Sequence, residues 1–222
     1  MTTPERLHGR GRFRAWLGGR FGGDAELGDR IERRLIHCLG AFVLLYFVLP
    51  TDFFIVLPTL AVILLALAAV FVLEFLRHTA GLELPTLRSY ESHRVGSYVF
   101  YAVALVIAVL AFPRPIATVV ILGSALVDPL VGELRLRPDR RRFLPHVPVI
   151  VYAVLGASAL VFAFGWALVP ALVLVVFLGA VAVLVEEPRI PWLDDDLIMT
   201  LVPGIVGTIV VEAFPALPRV GL

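Results

Sequence analysis

The stretch Phe53–Phe75, FFIVLPTLAVILLALAAVFVLEF, decides the fold class. Its 23 residues contain one charged side chain, Glu74. A helix crossing the hydrocarbon of a bilayer needs about 20 predominantly apolar residues. Backbone at that depth must satisfy its own hydrogen bonds, so a helix is the expected solution. A membrane β-strand would alternate apolar and polar residues, and no such alternation is present.

Six further apolar segments flank this one. They are Leu35–Leu49, Val95–Phe112, Pro115–Val131, Val147–Phe164, Trp166–Val185 and Leu197–Phe214. Several are shorter than a perpendicular span requires, which local bilayer thinning accommodates. The reading is an all-α polytopic membrane bundle of about seven transmembrane helices (residues 34–222), preceded by a basic tail (residues 1–33). Composition agrees: 59% of the 222 residues are hydrophobic and 17% charged, where a soluble domain has about 25% charged. A disordered chain, a disulfide scaffold and a typical soluble enzyme are excluded. The single cysteine, Cys38, lies in an apolar run and reads as a small packed residue.

The tail carries too much charge to be a secretory signal. Eight arginines precede Leu35, with no apolar core among them. Its Gly18-Gly19 and Gly22-Gly23 pairs favour a loose segment over a surface helix.

Arginine placement sets the expected orientation. All 19 basic residues are arginine. If the N-terminus is cytoplasmic, the outside segments carry only Arg114 and Arg219, and every other arginine is inside. The positive-inside rule then gives N-in and C-out. The outside turns are short, while the inside loops hold most acids and histidines. Chemistry is therefore expected on the cytoplasmic face of a multi-pass cell-membrane protein. The span centres are almost purely Val, Leu, Ala, Ile and Phe, which argues against an ion pathway.

Four clusters carry the polar groups. Arg33, Arg34 and His37 share one helix face at the start of the first span. Arginine forks suit phosphate oxygens, and the same residues also suit headgroup anchoring. Glu74 and Arg77 stand three apart at the end of the second span, before a polar loop holding Arg88 and Glu91. Asp128-Pro129, with Gly132 and Glu133, lies about a turn inside the fourth span. An ionisable group there costs about 2.5–3.5 kcal/mol on insertion and signals function by default. Gly132 lets a ligand approach the backbone. Finally, Glu186-Glu187 and Asp194-Asp195-Asp196 gather five acids before the last span. Acids at that position cap a helix and complement its dipole. They also suit a hard cation such as Mg2+ bridging to a nucleotide phosphate. No P-loop, dinucleotide fingerprint, zinc signature or serine triad is present.

In order and spacing these clusters resemble the dolichol kinase and phytol kinase family of CTP-dependent polyprenol kinases. The resemblance runs from about Arg33 to Pro203. Arg33-Arg34-Leu35-Ile36-His37 is similar to the family's basic pair followed by histidine, and Glu74-Phe75-Leu76-Arg77 to its Glu-x-x-Arg. Glu91 and Gly96–Phe100 resemble the loop and span that follow. Phe112-Pro113, Asp128-Pro129 and Gly132 resemble its phenylalanine–proline turn and Gly-Asp-Pro segment. Glu186, Asp194-Asp195-Asp196-Leu197 and Pro203 resemble its Glu, Asp-Asp-Asn-Leu and later proline. Val127 stands where the family has glycine, and Asp196 where it has asparagine. The family's Lys-Ser/Thr-x-Glu-Gly motif has no counterpart, since the chain has no lysine. Arg141, Arg142 and His146 are the cations nearest that position.

The resemblance implies phosphoryl transfer from CTP, or another nucleoside triphosphate, to the terminal hydroxyl of a long isoprenoid alcohol. It implies Mg2+ or another divalent cation, a lipid bilayer, and no nucleic-acid partner. Asp128, Asp194 and Asp195 are the expected metal and catalytic residues. Arg33, Arg34, His37, Arg77, Arg88 and Gly132 are the expected nucleotide or phosphate contacts, with Glu74, Glu91 and Glu186 orienting them. Two alternatives stay open: a CTP-dependent lipid cytidylyltransferase and a non-catalytic prenol-binding membrane protein.

Overall fold

Helices form where the apolar runs predict them. The computed structural model describes residues 25–50, 58–80, 94–136, 138–144, 146–185 and 194–214, and among these there is no strand. We label the helical segments in chain order. Helix α1 (Ala25–Gly40) continues into a 3-10 turn, Ala41–Leu44, and a helical turn, Leu45–Val48. Then come α2 (Thr59–Ala80) and α3 (Ser97–Ala111). Helix α4 (Arg114–Leu136) is interrupted by a π-helical turn, Gly123–Val127. Helix α5 (His146–Ala163) follows a short 3-10 turn, Pro138–Phe143, and ends in a second π-helical turn, Ala159–Ala163. Helices α6 (Leu168–Val185) and α7 (Asp195–Ala213) complete the described chain.

Five of these, α2, α4, α5, α6 and α7, are long and apolar enough to cross a membrane. The other two apolar stretches, Arg34–Val48 and Ser97–Ala111, are shorter. At 1.5 Å per residue each reaches roughly 22 Å, short of a hydrocarbon core of about 30 Å. The cause of the short α3 is local. Phe112 is extended, as a residue preceding proline tends to be, and Pro113 and Pro115 follow it. Helix α1, by contrast, begins at Ala25, inside the segment expected to be a loose tail.

Helix α4 is the axis of the bundle: 61% of its span is buried, against 11% for α2. Helix α7 packs against α3, α4 and α6, α5 packs against α4 and α6, and α2 touches the bundle through α3. The interior is made of small and β-branched residues. Ala104, Ala108, Ile116, Ala117, Val120, Ile121, Ala125, Val175 and Leu178 are fully buried. Small residues let helix backbones approach closely, which drives packing where lipid removes the hydrophobic incentive. Tyr152 of α5 shows this best. A Cβ at Gly123 of α4 would lie 2.2 Å from its ring, and one at Gly179 of α6 3.2 Å, so its ring fits a slot made by two glycines. Outside, large apolar side chains such as Phe42, Phe71, Phe75, Phe162, Val169 and Ile209 are exposed. So large an apolar surface suits hydrocarbon, not water.

Candidate functional site

Four helices bring polar groups together at one end of the bundle. His37 lies in the last turn of α1, where α-helical geometry gives way to the 3-10 turn at Ala41. Tyr101 of α3 holds it twice. The two rings lie 4.5 Å apart between centroids at 32°, and the Tyr101 hydroxyl donates to the His37 carbonyl at 2.8 Å. This approach needs Gly40, where an added Cβ would come within 2.1 Å of the Tyr101 hydroxyl.

Asp128 reaches the same point through the π-helical turn of α4. Such turns widen a helix by one residue and concentrate at functional sites. Gly123–Val127 lies where α1, α5 and α7 meet α4, and Asp128 is the next residue. Asp128 Oδ2 is 3.6 Å from His37 Nδ1. The third member is Asp196, at the start of α7. Asp194 caps this helix, its carboxylate accepting from the Asp196 backbone N–H at 3.1 Å. That leaves the Asp196 side chain turned inward, its Oδ2 3.7 Å from His37 Nε2. One ligand atom each from His37, Asp128 and Asp196 lies within 4.8 Å of the others, as do the carboxylates of Asp194, Asp195 and Asp196. Asp196 thus belongs to both groups. Beside them, Arg34 of α1 pairs with Glu133 of α4.

A second polar knot ties α2 to α3. Arg77 donates to Glu74 through Nε at 2.8 Å and through its terminal nitrogen at 2.7 Å. The same carboxylate accepts from the Gly96 N–H at 3.0 Å and from the Tyr98 hydroxyl. Arg77 also donates to the Arg94 carbonyl. Glu74 and Arg77 are both buried. A two-pronged arginine–carboxylate pair with these added donors is well satisfied for buried charge. Its evident work is to fasten α2 to the bundle.

The residues expected from sequence therefore divide. His37 and Asp128 meet in one cluster, with Asp194 and Asp195 at its edge. Arg34 engages Glu133, and Glu74 and Arg77 engage each other. Gly132 is exposed, and an added Cβ there would meet nothing within 4 Å. Arg88, Glu91, Glu186 and the Arg33 side chain lie outside the described residues. The sequence places Asp196 in the acidic cluster suited to a cation, but the metal and catalytic roles are expected of Asp194 and Asp195, and Tyr101 is not among the expected residues. A signal for Asp196 was present: Thr200, Gly204, Gly207 and Val211 follow at helical spacing, and all but Thr200 are small or apolar. All four are buried on the face that holds Asp196. Tyr101, one aromatic among many in an apolar run, carried no such signal.

No protein-family model matches the chain, and neither a curated protein nor a solved structure shows significant similarity to it.

Proposed function

We propose that this chain is an integral membrane phosphotransferase. On this reading it moves a phosphoryl group from CTP, or another nucleoside triphosphate, to the hydroxyl of a long-chain isoprenoid alcohol at the cytoplasmic face. The observation that carries the reading is the meeting of His37, Asp128 and Asp196 from three helices at one end of an apolar bundle. One imidazole and two carboxylates form a donor set that fits a divalent cation. When bound, such a cation neutralises charge on phosphate oxygens.

The rest is positioning, which dominates phosphoryl transfer. The alcohol's tail needs an apolar environment, which the lipid-facing surfaces of the helices supply. Its hydroxyl oxygen attacks the γ-phosphorus, the bond to the β-phosphate oxygen breaks, and a nucleoside diphosphate leaves. The hydroxyl proton passes to a carboxylate of the cluster. Arg140, Arg141 and Arg142, exposed in the turn before α5, offer positive charge to the nucleotide.

The test is a transfer assay in mixed lipid and detergent with γ-labelled CTP, divalent cation and a panel of prenols. Label in a prenyl phosphate is the expected result. Asp128→Asn is expected to abolish that label while the protein still inserts and purifies normally. Full activity in the variant removes Asp128 from the site. Release of pyrophosphate instead of CDP identifies a cytidylyltransferase, and absence of nucleotide binding identifies a non-catalytic protein.

A further inference from the structure

The cluster contains an imidazole, and that fact bears on which cation it takes. Contacts of 3.6 and 3.7 Å join the His37 nitrogens to Asp128 and Asp196. They are too long for hydrogen bonds. Ligands held about 2.1 Å from one ion lie roughly 3–4 Å from each other. One ligand atom from each of the three side chains lies within 4.8 Å of the others, close enough for a small shift to bring one imidazole nitrogen and a carboxylate around a common ion. The Asp196 side chain is only 10% exposed. Among the described residues, His37 is the one potentially cationic side chain within 4.0 Å of its carboxylate. The imidazole is also held in place, by the Tyr101 ring against it and by the Tyr101 hydroxyl on its carbonyl. A fixed ring with a carboxylate near each nitrogen can offer one nitrogen to a metal shared with the carboxylate on that side, and the other carboxylate then stands where the outer partner of a metal-binding histidine is usually found.

We infer that His37, Asp128 and Asp196 form a site for a divalent cation of the first transition series, with His37 supplying a nitrogen ligand. Mg2+ prefers an all-oxygen octahedron and keeps its waters. A nitrogen donor shifts preference toward transition ions. The inference rests on the phosphotransferase reading only for what the cation does. The binding itself is measured without nucleotide or lipid substrate.

The experiment uses the full chain in detergent and Mn2+ as the probe, followed by electron paramagnetic resonance. The expected result is Mn2+ bound with nitrogen modulation from an imidazole, displaced by Zn2+ at a concentration at least about tenfold lower than by Mg2+. Loss of even an outer partner of a metal ligand costs about 10–100-fold in affinity, so His37→Gln is expected to weaken Mn2+ by at least that and to remove the nitrogen signal. Asp196→Asn is expected to weaken binding similarly, and Asp139→Asn, on the exposed turn before α5, to leave it unchanged. The wild-type spectrum alone decides if the variants fail to fold. Bound Mn2+ without nitrogen modulation, no Mn2+ binding, or a nitrogen signal that survives His37→Gln overturns the inference. Prenol phosphorylation supported by Mg2+ without a nitrogen-ligated ion also overturns it, while leaving the phosphotransferase reading intact. A nitrogen-coupled ion in a protein that phosphorylates no prenol upholds the inference and removes that reading.

Discussion

Tyr101 shows how one side chain organises this site. It is buried, stacks on His37 and donates to the His37 carbonyl. A typical hydrogen bond contributes about 0.5–1.5 kcal/mol, so Tyr101→Phe is expected to lower unfolding stability by about that amount. Thermal unfolding in detergent checks it, and an unchanged midpoint would mean that the hydroxyl does not hold α1. At this scale the sequence was partly legible. Asp128 stood out because a carboxylate inside an apolar span demands a reason, and His37 because it follows paired arginines. The choice among Asp194, Asp195 and Asp196 turned on helix phase. One residue of phase moves a side chain by roughly 100° around the axis. Asp194 serves as the cap and Asp196 points inward.

The apolar runs made the helices legible, because hydrocarbon tolerates few other backbone arrangements. The deviations within helices were not. The π-helical turns at Gly123–Val127 and Ala159–Ala163 and the 3-10 turn at Ala41–Leu44 leave no mark on hydropathy. Nor did hydropathy reveal the helical character of Ala25–Arg34. Helix α5 yields a prediction of its own. Tyr152 is buried between α4 and α6, and among the described residues its hydroxyl has no hydrogen-bond partner. A buried unsatisfied polar group costs about 1–3 kcal/mol. Tyr152→Phe keeps the ring in its two-glycine slot and removes the hydroxyl. It is expected to raise the thermal midpoint, with a gain of about 1 kcal/mol. A lower midpoint would reveal a partner for that hydroxyl.

For the whole molecule, the distribution of charge carries the strongest expectation. On the seven-span reading, arginines crowd the segments at one side of the apolar runs, and only Arg114 and Arg219 fall on the other. Orientation follows such a bias in short loops. A fluorescent protein fused to the N-terminus is expected to fluoresce, and alkaline phosphatase fused after Leu222 to be active outside the cytoplasm. The reverse pattern would move the His37–Asp128–Asp196 cluster to the outer face and remove its access to cytoplasmic nucleotide. The general architecture was readable at this scale because composition reports the surrounding solvent directly. The central position of α4 and the peripheral one of α2 were not, since both read as apolar spans, and it is the less apolar of the two, α4, that the bundle surrounds.

The π-helical turn before Asp128 has a consequence for how the chain tolerates length changes. A π-helical turn holds one residue more than an α-helical turn while the helix on either side keeps its facing. Gly123–Val127 is thus a stored residue of slack. Deleting Ala125 is expected to tighten this turn to α-helical geometry and leave Asp128 aimed at His37. Deleting Val119 as well, once that slack is spent, leaves no such reserve and should swing everything after it by roughly 100°. Metal binding measured on the single and the double deletion would separate them. Of the two, only the deletion of Ala125 alone is expected to keep the register of the site.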